Sequence, residues 1–184
     1  PYLGRRHSWF AEGFASYLQY RVLAELGVIG HREVGRVYRE RVESAASAYA
    51  GYDLGGRSFI EAAALLREQR AYPDYWGGAV YFMTIDAQLQ AASAPPLMAL
   101  LRRYIRCCRQ RNDDFRALLA SLDRLSGTDL FTRRLKQLQA TRGFPAFEDA
   151  LRWVGTTHAP GQESPPRNKS ASRACNNPSS QQAP

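Results

Sequence analysis

The sequence predicts an all-α fold, an irregular multi-helix bundle with a disordered C-terminal tail, and three observations carry that prediction. Apolar residues recur at three- and four-residue steps through most of positions 9–155, the spacing of one helix face. Helix-start and helix-stop residues (Ser58, Asp114, Gly27, Gly127) punctuate those runs. No stretch shows the sustained two-residue alternation of a half-buried strand. From Thr156 onward Pro, Ser, Asn, Gln and Gly dominate. Such a segment cannot bury enough surface to offset its ordering entropy. The expected organisation is therefore a helical unit over 1–156 and a disordered tail over 157–184.

Composition bounds the function. The 184 residues, 45% of them hydrophobic, suffice for one domain with a proper core. The net charge of +8 comes almost wholly from arginine, because only Lys136 and Lys169 are lysines. Such a balance permits contact with nucleic acid or an anionic surface. The arginines fall on many amphipathic segments, so a solvated surface is expected and nucleic acid is not expected as a partner. No apolar run is long enough to span a bilayer. Cys107 and Cys108 are neighbours on a predicted helix, pointing in different directions, and Cys175 lies in the tail. With an odd count and no CxxC, unpaired thiols are expected.

Taken in order, residues 1–8 read as a connecting segment containing Gly4 and the basic run Arg5-Arg6-His7. The first helix is expected over 9–26, stopping at Gly27, with Phe10, Phe14, Tyr17, Leu18, Val22 and Leu26 as its buried stripe. Glu12 lies off that stripe, on a face continued by Ala15, Ser16 and Gln19, whose modest size leaves room for something to approach the carboxylate. A second helix follows Gly30 to about residue 49, with Val34, Val37, Tyr38, Val42 and Ala45 facing inward. Residues 51–56 form a turn-rich break. Ser58 and Glu61 then form a capping-box pair for a third helix fading near residue 70.

Pro73 disfavours helix at Tyr72, and Asp74 is expected as the N-cap of a fourth helix beginning at Tyr75. Gly77 and Gly78 each cost about 1 kcal/mol relative to Ala in a helix. Two together imply that another backbone, or a ligand, approaches very closely. Beyond residue 92 four shorter helices are expected: one opened by Pro95-Pro96, one started by Asp113 or Asp114 and ended by Gly127, one over 129–140 and one over 145–153.

Two of these stretches carry chemistry. An acidic residue in a first helical turn is common, because the macrodipole favours it there. The pattern around this one is more particular: Trp9-Phe10-Ala11-Glu12-Gly13-Phe14-Ala15-Ser16-Tyr17. This W-F-x-E-G-F-x-x-Y run resembles the second zinc-binding helix of gluzincin metallopeptidases. It is most similar to the glycyl aminopeptidase family, because Ala11 stands where the wider gluzincin aminopeptidases often carry Asn. The resemblance implies that Glu12 is a zinc ligand, the third after two histidines from an HExxH helix.

Tyr75-Trp76-Gly77-Gly78 resembles the family's Y-x-x-G motif, which implies that the Tyr75 hydroxyl stabilises the oxyanion of a peptide substrate. Asp86 resembles a family position with a structural role. The segments around residues 125–130 and 147–151 are similar to the closing part of the family's catalytic domain, so the resemblance spans 9–155. No HExxH occurs here, and in the family it precedes the ligand Glu by more than the eleven residues that stand before Glu12.

The histidines are therefore expected before Pro1, and the chain is read as the helical, C-terminal part of a zinc-dependent peptidase of aminopeptidase type. Zinc would belong to the longer protein, and this chain alone is expected to be inactive. The alternative is a catalytically dead, gluzincin-like helical scaffold. His7, although near Glu12, fits neither half of HExxH and is expected to be exposed or to support a ligand from behind.

Overall fold

The computed structural model describes residues 7–68, 73–109 and 114–157. The tail expected over 157–184 lies outside the described residues, apart from its first position. The described chain forms eight α-helices: α1 Ser8–Glu25, α2 His31–Ala50, α3 Phe59–Glu68, α4 Pro73–Ala91, α5 Leu97–Cys107, α6 Phe115–Ser126, α7 Leu130–Ala140 and α8 Glu148–Thr157. Among those residues there is no strand, only an isolated antiparallel bridge between Ser58 and Arg142. The fold is all-α.

The bundle is arranged around α4. Twelve of its nineteen residues are buried, and it packs against α1, α2, α3, α5, α7 and α8. Its longest contact is with α1, and glycine is the reason. A Cβ on Gly78 would stand 2.0 Å from the Trp9 carbonyl oxygen, and one on Gly13 would stand 2.4 Å from the Gly78 carbonyl carbon. The two helices thus meet backbone to backbone at Gly13 and Gly78, as the paired glycines predict. Gly77 faces differently: its Cβ would meet the Phe59 ring at 2.4 Å. Around the crossing lies an aromatic cluster in which Trp9, fully buried, stands edge-on to Phe10, Phe59, Tyr81 and Phe115.

Buried polar groups fasten the far end of the same pair. Asp86 of α4 accepts a hydrogen bond from the Tyr17 hydroxyl at 2.5 Å and one from Arg21 at 3.0 Å. Its other oxygen accepts from the backbone N–H of Leu97 at 3.1 Å, which satisfies an orphan donor at the start of α5. One carboxylate therefore ties three helices together. Burial, reinforced by the Asp86 charge, pushes the Tyr17 hydroxyl well above its ordinary range, so it stays a donor. Asp123 plays a similar part for α7, accepting from the N–H groups of Phe131 and Thr132.

Local signals set several helix ends. Ser58 and Glu61 form the capping box, with the Ser58 N–H and hydroxyl both donating to Glu61 at 2.9 and 2.8 Å. Asp114 caps α6 by accepting from the Ala117 N–H at 2.7 Å. Gly27 and Gly127 follow α1 and α6 with φ of +70° at each, the left-handed turn that favours glycine.

Three expectations are corrected. The α1 stripe stops short, because Val22 and Leu26 are exposed, and the last bonds from α1 to α4 are those of Tyr17 and Arg21 to Asp86. Asp74 is not a cap; Pro73 takes the first helical position and Asp74 sits inside the first turn, fully buried. Cys107 and Cys108 are joined to each other where α5 ends, because Cys108, at φ −134°, leaves the helical conformation.

Candidate functional site

The α1–α4 crossing decides what stands near what. Glu12 immediately precedes Gly13, and Asp74 and Tyr75 lie about one turn before Gly78. Backbone contact at the two glycines therefore carries these three side chains toward each other. The chain segments involved are far apart in sequence, and no local signal pairs them.

Arg67, near the end of α3, completes the group. Its Nη2 stands 3.8 Å from Glu12 Oε1, with both side chains little more than a third exposed. The same guanidinium lies over the Tyr75 ring, 5.4 Å from its centre, a cation–π arrangement. Glu12 and Tyr75 thus both lie against one arginine. The sequence does not single out Arg67, since nothing in its neighbourhood marks it apart from other helical arginines.

Asp74 lies behind this group. No other described residue donates a hydrogen bond to either of its carboxylate oxygens. Burial is the main influence on it, and the Glu12 charge adds to the effect. Its own backbone N–H and Arg67 oppose it, and the balance pushes the carboxyl up to about 7. Near neutrality Asp74 is therefore divided between its neutral and ionised forms, which is uncommon for an aspartate. A perturbed carboxyl beside other functional groups is a reason to look at this spot, although structural clusters also perturb carboxyls.

His7 packs on an aromatic ring. Its ring stacks on Phe115 with centroids 4.1 Å apart and is half-buried, so it packs the start of α1 rather than standing in solvent. Asp86 is 65 residues from Arg21 in sequence yet bonded to it, and it serves structure. A depression lined by Gln88, Ala92, Asp129 and Arg133 lies elsewhere, and its charged pair is already joined at 2.6 Å.

Among the described residues no three His, Cys, Asp or Glu side chains converge to hold a metal ion. Catalytic zinc takes three protein ligands and leaves a fourth position open. One carboxylate beside a guanidinium fits a single position of such a set and does not form a site by itself. No family model, curated protein or solved structure matches this chain.

Proposed function

We propose that this chain is the helical part of a zinc-dependent peptidase of aminopeptidase type, with Glu12 as one metal ligand and Tyr75 as the oxyanion donor. The observation that supports it is the common placement of Glu12 and Tyr75 against Arg67, because a ligand and an oxyanion donor must flank the same substrate carbonyl. The reading also rests on the W-F-x-E-G-F-x-x-Y and Y-x-x-G resemblances. It requires two histidines and a general base from an HExxH helix that this sequence does not contain. Zinc held in such a site polarises a carbonyl and makes its bound water acidic near neutral pH. Within this chain, Glu12 offers its carboxylate, Tyr75 offers a proton to the developing oxyanion, and the α1–α4 crossing fixes the distance between them.

One observation favours a second reading. The Glu12–Arg67 contact gives the carboxylate a partner without any metal, as a catalytically dead scaffold of the same build would have. The coding sequence before Pro1 separates the two: an HExxH helix supports the peptidase, and a degraded one supports the scaffold. Kinetics then test the roles. In the protein carrying that helix, Tyr75→Phe should lower kcat by about 100- to 1,000-fold with KM little changed. Its zinc content should remain, whereas Glu12→Gln should lose metal. Normal turnover in Tyr75→Phe removes Tyr75 from the mechanism.

A further inference from the structure

Arginines are not equally neutralised over the surface. On α2, Arg36 and Arg39 face Glu33, Glu40 and Glu43; Arg133 faces Asp129 at the start of α7, and Arg152 faces Asp149 on α8. Arg32 and Arg41 on α2 lack such a partner among the described residues, and on α5 and α6 unpaired arginines are the rule. Arg102, Arg103, Arg106, Arg109, Arg116 and Arg124 make no ion pair or hydrogen bond among the described residues. The two described carboxylates of this stretch are committed elsewhere, Asp114 to the start of α6 and Asp123 to the start of α7.

The outward face of α5 holds a second feature. Leu97, Leu100 and Tyr104 are buried against the bundle, which turns Arg102, Ile105 and Arg106 outward as i, i+3 and i+4 neighbours. Arg109 is exposed just beyond the helix end. Ile105 is 58% exposed in the midst of these cations. Any partner must therefore supply anions and also accept an apolar side chain.

We propose that the outward face of α5 docks on an anionic lipid surface. Phosphate-bearing headgroups match the unpaired guanidinium forks, and the headgroup–acyl boundary accepts Ile105. The geometry favours lipid over nucleic acid on two counts. A phosphodiester backbone has no place for an aliphatic side chain, and none of the exposed α5 residues is an aromatic on which a base could stack. The contact is peripheral, since no described helix is long and apolar enough to cross a membrane. It does not depend on the peptidase reading.

The test is sedimentation of the whole chain with phosphatidylcholine vesicles, with and without phosphatidylglycerol. Binding should require the anionic lipid and weaken as salt rises. Each basic residue near such a surface contributes about 5-fold in affinity, so the Arg102→Glu, Arg106→Glu double variant should bind about 20-fold or more weakly. Arg102→Gln, Arg106→Gln is the milder version should the reversal unfold the chain. Ile105→Ser should weaken binding several-fold at unchanged charge. The same charge reversal at Arg36 and Arg39 on α2 should change binding little. Equal binding to both vesicle types, no binding to either, or equal losses at α2 and α5 would overturn the proposal. So would tight binding of an oligonucleotide in preference to anionic vesicles, which would give this face to nucleic acid.

Discussion

Replacing Gly78 with alanine puts helix propensity and tertiary packing in direct opposition. In an isolated helix the change would stabilise by about 1 kcal/mol, because glycine is the poorer helix former. In this fold the new Cβ would lie 2.0 Å from the Trp9 carbonyl oxygen and 3.0 Å from the Gly13 Cα. Neither atom belongs to a side chain that can rotate away, so α1 and α4 must separate by about 1 Å or more, and the cluster around Trp9 must loosen with them. Overpacking of a core costs about 1–3 kcal/mol, and more where backbone is the obstacle. The crossing therefore wins, and a net loss of about 2–3 kcal/mol is expected, or about 8 °C in Tm for a chain of this size. Urea unfolding followed by tryptophan fluorescence reads it, with Trp9 as a reporter inside the contact. Gly13→Ala should cost a similar amount. The double variant should cost less than the sum, because one separation of the helices relieves both clashes. Gly77→Ala should be milder, since the obstacle is the Phe59 ring, which can tilt. A Gly78→Ala protein as stable as the parent would refute the backbone crossing and, with it, the placement of Glu12 beside Tyr75.

Asp74 should make stability depend on pH. Its carboxyl rises from an ordinary 3.8 to about 7 on folding, so the folded state holds a proton that the unfolded chain releases. The contribution of Asp74 to stability should be fully present below about pH 4, be lost by up to about 4 kcal/mol as pH rises through about 7, and be gone above that. Asp74→Asn should flatten this fall, and parallel stability–pH curves for the two proteins would contradict it. Asp86→Asn should cost about 3 kcal/mol, because it leaves Arg21 without its partly buried countercharge and turns a donor toward the Tyr17 hydroxyl; a loss below about 1 kcal/mol would show that the junction of α1, α4 and α5 is held otherwise.

Where the chain carries its own local chemistry, the fold is legible from residues alone. Ser58 with Glu61, Asp114 before α6, and glycines after α1 and α6 announce helix ends because each satisfies a backbone group within a few positions of itself. Gly77 and Gly78 announce a close approach, since a helix rarely tolerates two glycines without one. They do not announce its partner, which depends on where α1 comes to rest. The misreading of Asp74 has a related cause. An aspartate after proline has the chemistry of a cap, but Pro73, with its fixed φ, is equally suited to the first helical position. Only the packing of α1 and α3 against α4 decides between them, and it buries the carboxylate. Val22 and Leu26 continue the α1 stripe yet stay exposed, and periodicity cannot register how far along a helix its apolar face is covered. Arg67 is invisible for the plainest reason: its contacts to Glu12 and Tyr75 join separate helices.

The Glu12–Arg67 contact bears on both functional readings, and its strength decides how much. Both side chains are more than a third exposed and the charged atoms stand 3.8 Å apart. Pairs of that kind are worth about 0–1 kcal/mol, because solvent screens the attraction and ordering two long side chains offsets part of it. Arg67 can therefore leave Glu12 at little cost, and its presence does not disqualify the carboxylate as a ligand. Arg67 touches Tyr75 through the face of its ring. What cannot be released cheaply is the crossing beneath them, where Gly13 and Gly78 meet without side chains between. The part of the site fixed by packing is thus the backbone that sets the Glu12–Tyr75 separation, while the Arg67–Glu12 contact is weakly held. The α1–α4 crossing is needed by either reading, so the crossing itself does not choose between them.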